Sequence, residues 1–167
     1  TIYERHTNVS FLSCGISLFL DGQVKHLEDM FYSSPEQLTD MGAKIKTRHN
    51  VLKIDSENKT VDIVDMDTGK MTTDTYDKLI MATGSTVTVP PIFGIDEDKV
   101  MLCKNYDQAK AIDKAAKGNK RIAIVGAGYI GTELAESYAR TGHEVQLFQS
   151  REIILNHYVD KGLSDRI

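Results

Sequence analysis

The spacing of apolar and polar positions changes along the chain, and each pattern predicts an element. Arg121–Val125 (RIAIV) is continuously apolar after its first residue, which is typical of a strand buried on both faces of a parallel sheet. Tyr129–Arg140 predicts a helix that ends at Thr141-Gly142. Glu144–Phe148 predicts the next strand. The order strand, helix, strand indicates an α/β fold with a parallel sheet.

The first half of the chain predicts shorter elements. Residues 1–3 indicate the end of a strand, and the apolar segment 11–20 predicts a helix after Cys14. Residues 44–54 and Thr60–Asp65 alternate between apolar and polar positions, so they predict strands. Each of these elements needs a further element to cover its apolar side.

A second group of predictions rests on capping and on one apolar run. Ser34 is expected to cap a helix that has Pro35 at its first position, with Gln37 completing a capping box. Gly42 is expected to end that helix. Residues 78–82 (KLIMA) predict a short buried strand.

A boundary is expected near residues 95–105. Pro90-Pro91 interrupts any regular element shortly before it, and residues 105–117 predict a helix shortly after it. Residues 1–100 and 101–167 are therefore expected to belong to different domains.

Composition excludes several classes of function. The 167 residues are 41% hydrophobic and 26% charged, with a net charge of −4, so no basic excess attracts nucleic acid or an anionic membrane. No apolar run has the length of a membrane helix, about 20 residues. The five histidines and two cysteines show no metal-site spacing.

The strongest motif is the glycine pattern GAGYIG at residues 126–131. It follows a predicted strand at once and opens a predicted helix, which is the context that a dinucleotide-binding turn requires. Gly126 permits the tight turn, Gly128 lets the backbone approach a pyrophosphate, and Gly131 lets helix and strand pack closely. Free amides and the helix dipole then favour the pyrophosphate charge.

One position departs from the dinucleotide pattern. The strand after the helix usually ends in an acidic residue that accepts from the ribose 2′-hydroxyl, and this chain has Gln149 there, followed by Ser150 and Arg151. Gln149 does not repel a 2′-phosphate, and Arg151 attracts one. We therefore expect NADH to be used, with better tolerance of NADPH than in proteins with an acidic residue at position 149.

The two cysteines stand in different sequence settings. Cys14 precedes a predicted helix, and the amino end of a helix favours the thiolate that attacks peroxides. Taken alone, the setting of Cys14 favours a buried structural cysteine over a reactive one. Cys103 follows Val100-Met101-Leu102 and indicates a core position.

Six segments together resemble the peroxide-reductase branch of the flavoprotein disulfide reductases, which includes water-forming NADH oxidases, NADH peroxidases and coenzyme A disulfide reductases. The resemblance implies an incomplete FAD/NAD(P)-binding Rossmann-like fold, with three layers, a parallel central sheet and a small antiparallel sheet. It covers nearly the whole chain. The segments are Tyr3-Glu4-Arg5 and residues 10–15 (SFLSCG), 31–35 (FYSSP), 76–85 (YDKLIMATGS), 102–104 (LCK) and 126–133 (GAGYIGTE).

The resemblance also implies roles for individual residues. Cys14 would be the single redox cysteine and the catalytic residue. The positions implied for FAD are Glu4, Arg5, Ser13, Cys14, Val51 through its backbone, Ala82, Thr83, Gly84, Ser85 and Lys104. The positions implied for NAD are Gly126, Gly128, Tyr129, Ile130, Gly131, Glu133, Gln149 and Tyr158.

The function implied is that of an FAD-dependent NAD(P)H oxidase that reduces oxygen to water, in a cytoplasmic homodimer. Oxygen or peroxide would be the small-molecule substrate, with no nucleic-acid or membrane partner. Peroxidase, coenzyme A disulfide reductase and a non-catalytic nucleotide-binding remnant stay open as alternatives. The first FAD motif and the later domains of the family are expected outside this chain. The 167 residues alone are therefore expected to be inactive and to bind FAD poorly.

Overall fold

A computed structural model describes residues 1–95 and 100–167, which form two compact units. The first unit comprises Thr1–Phe11 and Phe31–Thr86, and the second comprises Leu12–Met30 and Val87–Ile167. Residues 12–30 thus group with the half of the chain that carries the glycine motif. Residues 96–99, inside the boundary expected at 95–105, lie outside the described residues.

The first unit contains a short parallel pair of strands, β1 (Ile2–Tyr3) and β2 (Ile45–Lys46). The chain does not continue from β2 as one strand through residue 54, as the alternation predicted. Arg48 has a φ of 57°, a left-handed conformation that breaks an extended strand. The next strand therefore joins a different sheet.

That second sheet is antiparallel, with strands β3 (His49–Asp55), β4 (Thr60–Asp65) and β5 (Met71–Thr75) in the order β3-β4-β5. Alternate residues of β4 face the interior: Val61 is buried and Ile63 is 0% exposed. The sequence pattern does not predict β5. Its segment, MTTDT, is mostly exposed and polar, so it lacks an apolar face, although its threonines favour strands.

The predicted helix start at Ser34 is confirmed. Helix α2 spans Pro35–Asp40, after helix α1 of the second unit (Ile16–Leu20). The Ser34 hydroxyl accepts from the Gln37 N–H at 3.2 Å, and the Gln37 side chain accepts from the Ser34 N–H at 3.1 Å. Gly42 has a φ of 93° and closes the helix, as expected for a glycine in this position.

The predicted buried strand at residues 78–82 is wrong. The segment has no strand conformation, and Ile80 is 88% exposed. A strand exists only where another strand accepts and donates its backbone hydrogen bonds, and no described strand pairs with this segment. The apolar composition therefore predicts a buried segment, but no described residues cover it.

The second unit is built on a parallel pair, β6 (Arg121–Val125) and β7 (Glu144–Phe148), connected by helix α4 (Tyr129–Arg140). Both strands and the helix have the predicted bounds. Helix α3 (Tyr106–Ala116) precedes β6 and is capped by Asn105. The short helix α5 (Lys161–Ser164) was not predicted.

The core of the second unit lies around helices α1 and α4. Its most buried members come from several segments and are Ile16, Leu20, Leu27, Met30, Ala109, Ile124, Ala127, Tyr138 and Leu155. Parallel and antiparallel sheets combined with helices confirm the α/β class. Within the described ranges, no helix has the length and apolar character needed to cross a membrane.

Candidate dinucleotide-binding site

The glycine turn between β6 and α4 has the geometry that its sequence predicts. Gly126 has a φ of 104°, a conformation that favours glycine. Its N–H donates to the Phe148 carbonyl at 2.8 Å, which holds the turn against the end of β7. Gly128 is the N-cap of α4 and has no side-chain partner for the first helical amides. Those amides are therefore available to an anion.

The other two glycines of the motif differ in what a side chain would meet. A Cβ at Gly131 would overlap the Gly126 carbonyl oxygen, so this position brings helix and turn into direct contact. A Cβ at Gly128 would meet no atom within 4 Å. Open space above Gly128 is what a close approach of a pyrophosphate needs.

Two aromatic residues flank the start of α4. The Tyr129 and Tyr158 ring centroids lie 4.3 Å apart, and both side chains are exposed. Ile130 is exposed as well. The Glu133 carboxylate, one turn further, accepts from the Ser17 hydroxyl of α1 at 3.3 Å. The structure thus brings Tyr129, Ile130 and Tyr158 to the surface near the glycine turn, and it turns Glu133 toward α1.

The Gln149 side chain lies beside the same turn. Its Oε1 accepts from the Ala127 N–H at 3.5 Å, and its Nε2 donates to the Ile153 carbonyl and to the Asn156 Oδ1, both at 3.3 Å. The Leu155 N–H donates to the Ala127 carbonyl at 2.8 Å. Hydrogen bonds of the Gln149 side chain and of the Leu155 N–H therefore connect segment 150–156 to the glycine turn.

Cys14 lies in a 3-10 turn, Ser13–Gly15, directly before α1. Its thiol is free and exposed at a groove of about 360 Å³ between α1 and α4. The charged and polar lining comprises Ser17, Asp21, Gln23, Glu133, Glu136, Ser137 and Arg140. Arg140 is paired with Glu136 at 2.6 Å, so the groove has an excess of carboxylates.

Cys103 is partly buried in the second unit. Burial raises the pKa of the Cys103 thiol, and the Glu133 carboxylate raises that pKa further, with Lys104 opposing. Burial also raises the pKa of Tyr138 to about 12, with Cys103 and Asp113 adding to the shift. A thiol with a raised pKa carries less of the reactive thiolate at neutral pH, so this environment differs from the exposed position of Cys14.

The positions expected for FAD are distributed over both units. Glu4 follows β1, and its Oε1 accepts from the His6 N–H at 2.8 Å. Val51 lies on β3, next to a bulge that separates it from Lys53 in the register. Gly84 has a φ of 64°. The other positions lie at the surface or are half-buried: Arg5, Ala82, Thr83 and Ser85 in the first unit, and Ser13 and Lys104 in the second.

Two features of the second unit do not follow from the local sequence pattern. The aromatic pair joins residues 29 positions apart, and nothing in the local pattern connects Tyr129 with Tyr158. The groove beside Cys14 depends on the packing of α1 against α4. Ser137 is a polar residue on the buried face of α4, and it is the sequence feature that indicates the packing of α4 against α1. No cluster of potential metal ligands occurs in the described parts of the chain.

A strand, a glycine turn and a helix in this arrangement define a dinucleotide-binding protein of the α/β class. The chain belongs to the pyridine nucleotide-disulphide oxidoreductase family, whose model matches residues 1–167. The predicted family resemblance and the predicted fold class are thereby confirmed.

Three similar proteins place the chain within this family. An NADH oxidase of Enterococcus faecalis is 49% identical over 165 residues, which are 99% of this chain and 37% of that protein. The water-forming NADH oxidase of Lactobacillus brevis, bound to NADH, has a TM-score of 0.95 and 49% identity over 98% of this chain and 36% of its own. The chain thus spans little more than a third of the length of these relatives.

The third similar protein is an engineered water-forming NADPH oxidase made from the Lactobacillus brevis enzyme and bound to NADPH. Its TM-score is 0.95 and its identity 48%, over 98% of this chain and 36% of that one. Its five substitutions replace a glycine and an aspartate by alanine, introduce two arginines and introduce a serine.

Proposed function

We propose that the whole protein is an NAD(P)H oxidase that reduces oxygen to water through the Cys14 thiolate. The observation that carries this proposal is the position of Cys14: an exposed, free thiol in the unit that holds the dinucleotide turn. The similarity to NADH oxidases supports the same activity. Homodimer assembly and a cytoplasmic location also belong to the proposal and rest on the family resemblance alone.

The residues of the glycine turn would bind the pyrophosphate of NAD(P)H. The amides at the start of α4 have no side-chain cap, and a Cβ at Gly128 would meet no atom within 4 Å, so both features suit a bound phosphate. Tyr129, Ile130 and Tyr158 offer exposed apolar surface beside that position, which suits a planar ring. FAD is the proposed prosthetic group, and it supplies electron transfer from NAD(P)H to oxygen when bound.

Gly84 has a positive φ, and its neighbours Thr83 and Ser85 are exposed. This backbone suits the close approach of a phosphate-containing cofactor. Glu4 lies just beyond the carboxyl end of a parallel strand, where ribose-binding carboxylates of dinucleotide folds are found. These residues of the first unit are the ones we propose to hold part of FAD.

Cys14 would complete the reaction by reducing peroxide. Its thiolate sulfur attacks one peroxide oxygen, the O–O bond breaks, and the departing hydroxide takes up a proton to become water. The sulfur is oxidised to sulfenic acid. A second NAD(P)H supplies the two electrons that return it to the thiolate and release the sulfenic oxygen as water. The net reaction consumes two NAD(P)H and two protons for each oxygen molecule.

The groove at Cys14 favours a small neutral oxidant over coenzyme A disulfide. Asp21, Glu133 and Glu136 line it, and Arg140, its one cation among the described lining residues, is already paired. A coenzyme A disulfide carries several phosphate charges, which these carboxylates repel. Oxygen and hydrogen peroxide carry none.

The full-length enzyme tests the proposal through its stoichiometry. We expect two NADH oxidised per oxygen consumed and no accumulation of peroxide. Cys14→Ser should lower the ratio to one and release hydrogen peroxide, whereas Cys103→Ser, the matched control, should leave it at two. Release of peroxide by the wild type, or an unchanged ratio in Cys14→Ser, would contradict the role of Cys14. No oxidation of NADH would favour the non-catalytic alternative.

A further inference from the structure

A side-chain hydrogen bond connects the two sheets of the first unit. The Tyr3 Oη, on β1, donates to the Asp74 Oδ2, on β5, at 2.5 Å. The two residues are 71 positions apart in the chain, so only folding brings them together. Strand β1 has two residues, and a pair of strands this short has little stability of its own. The hydrogen bond to β5 therefore gives the end of β1 a fixed point on the larger sheet.

The Tyr3 ring also has charged and aromatic neighbours. The Lys46 Nζ lies 5.3 Å from the ring centroid, and the His49 ring centroid lies 6.3 Å away. A cation over the face of a tyrosine ring is attracted by it. The hydrogen bond from Tyr3 lowers the pKa of the Asp74 carboxyl, and the Thr75 N–H and the Lys46 charge lower it further. The acceptor is therefore a carboxylate at neutral pH, which makes the hydrogen bond a charged one.

The residue after Tyr3 is Glu4, and its backbone continues the ladder of β1. The Glu4 N–H donates to the Lys46 carbonyl, and the Glu4 carbonyl accepts from the His49 N–H, both at 3.0 Å. Consecutive side chains of an extended chain point to opposite faces. Fixing the Tyr3 side chain on β5 therefore also fixes the rotation of the chain, and with it the direction in which the Glu4 side chain leaves the strand end.

The Glu4 carboxylate has room for one more donor. Its Oε1 accepts from the His6 N–H at 2.8 Å, and no residue of the described ranges donates to its second oxygen. A carboxylate at the end of a parallel strand is the group that accepts from a ribose hydroxyl in dinucleotide folds. The second oxygen is therefore the acceptor that a ribose would use.

We infer that Tyr3 and Asp74 are positioning residues for FAD binding, because their hydrogen bond orients the Glu4 carboxylate toward the adenosine ribose. This inference rests on the proposed function, which assigns the ribose contact to Glu4. It extends the FAD site to an aspartate on an edge strand of the antiparallel sheet. Asp74 touches no part of the coenzyme in this assignment and acts only through Tyr3 and the backbone of β1.

A double-mutant cycle in the full-length protein tests this assignment. The protein is freed of flavin, and the Kd for FAD is measured by quenching of flavin fluorescence in wild type, Tyr3→Phe, Glu4→Gln and the double variant. Glu4→Gln should raise the Kd about 10-fold or more, as for the loss of a charged hydrogen bond, and Tyr3→Phe about 3- to 10-fold. In the Glu4→Gln background, Tyr3→Phe should change the Kd by less than about twofold, because the two residues act as one unit.

A hydroxyl–carboxylate hydrogen bond within the antiparallel sheet offers a matched control. The Thr73 Oγ1 donates to the Asp62 Oδ1 at 2.7 Å, and this pair does not include β1. Thr73→Val removes that hydrogen bond and should leave the Kd for FAD unchanged. Asp74→Ala should weaken FAD binding as Tyr3→Phe does, whereas Asp74→Asn keeps an oxygen acceptor and should have a smaller effect.

The cycle separates this inference from the proposed function. A weaker Glu4→Gln variant combined with an unchanged Tyr3→Phe variant would overturn the inference and leave the ribose contact of Glu4 standing. Equal effects of Tyr3→Phe in both backgrounds would also overturn it, because the hydrogen bond would then stabilise the unit without orienting Glu4. An unchanged Kd in Glu4→Gln would contradict both the inference and the proposed role of Glu4.

Discussion

Residues 78–82 and Arg121–Val125 are two short apolar segments, but only the second forms a strand. Both are followed by a glycine-containing turn. The difference is the neighbour: β6 pairs with β7 along its whole length, whereas no described strand lies beside 78–82. Apolar composition therefore indicates where burial is possible, and the hydrogen-bonding partner decides whether a strand forms.

The largest expected effect comes from truncating one side chain in each segment. Ile124 is buried, whereas Ile80 is 88% exposed. In the 167-residue chain, Ile124→Ala should lower the free energy of unfolding by about 2–4 kcal/mol because it leaves a cavity. Ile80→Ala should change it by less than about 0.5 kcal/mol. Urea denaturation followed by circular dichroism measures both, and equal losses would mean that residues 78–82 are packed in solution.

The next effect concerns the glycine that packs α4 against its turn. Gly131→Ala places a methyl group on the Gly126 carbonyl oxygen, so the helix start must move, at a cost of about 1–3 kcal/mol. Gly128→Ala, for which no atom lies within 4 Å, is the matched control and should cost under about 1 kcal/mol. Thermal unfolding of the two variants checks the order, and a greater loss in Gly128→Ala would refute the packing role of Gly131.

A smaller effect is expected at the corresponding turn after residues 78–82. Gly84 has a φ of 64° and open space around its α-carbon. Gly84→Ala should therefore cost about 1 kcal/mol from backbone conformation alone, without the clash that Gly131→Ala introduces. Ser85→Ala provides a neighbouring control. If Gly84→Ala were as harmful as Gly131→Ala, the turn after 78–82 would have to be packed as closely as the dinucleotide turn.

These contrasts show how far sequence reasoning reaches in this protein. It predicted β6, α4 and β7 at their observed bounds because each has a long periodic pattern and a partner nearby in sequence. The capping box at Ser34 was equally predictable, since its hydrogen bonds are local. It did not predict the separation of β2 from β3, which depends on the left-handed Arg48, or β5, which has no apolar face.

The candidate site likewise contains features that the sequence predicts and features that it does not. The roles of Gly126 and Gly131 in the turn could be predicted from spacing, because each meets a requirement of its own backbone or of a residue a few positions away. The pyrophosphate contact expected at Gly128 stays a prediction. The hydrogen bonds of Gln149 could not be, because its partners Ile153 and Asn156 depend on the course of the loop. The ribose contact expected for Gln149 stays a prediction.

The smallest expected effect compares one tyrosine in each unit at alkaline pH. The pKa of Tyr3 is raised to about 12 by burial, by its hydrogen bond to Asp74 and by the charge of that carboxylate. The pKa of Tyr138 is also raised to about 12, but burial is the largest cause and Asp74 does not contribute. Because both folded-state pKa values exceed the usual value near 10, the associated stability is present below pH 10 and is lost as the pH rises through about 12.

Asp74→Asn separates the two tyrosines. It should lower the pKa of Tyr3, because the charge of the carboxylate disappears and the hydrogen bond loses its charged acceptor, and it should leave the pKa of Tyr138 unchanged. Tyrosinate absorbance during an alkaline titration reports the transitions, with Tyr3→Phe identifying the first-unit tyrosine. A shift of the Tyr138 transition in Asp74→Asn would mean that the two groups do not titrate independently.

Ser137 connects the helix that carries the glycine turn with the helix that follows Cys14. Its hydroxyl lies 2.8 Å from the Glu133 carbonyl in its own helix and 3.1 Å from the Ser17 carbonyl in α1, three residues after Cys14. The helix that begins at the glycine turn is therefore hydrogen-bonded to α1, the helix that follows Cys14. A substitution that moves the start of α4 should therefore also move Cys14, so variants of the glycine turn and of the proposed redox thiol should be assessed together.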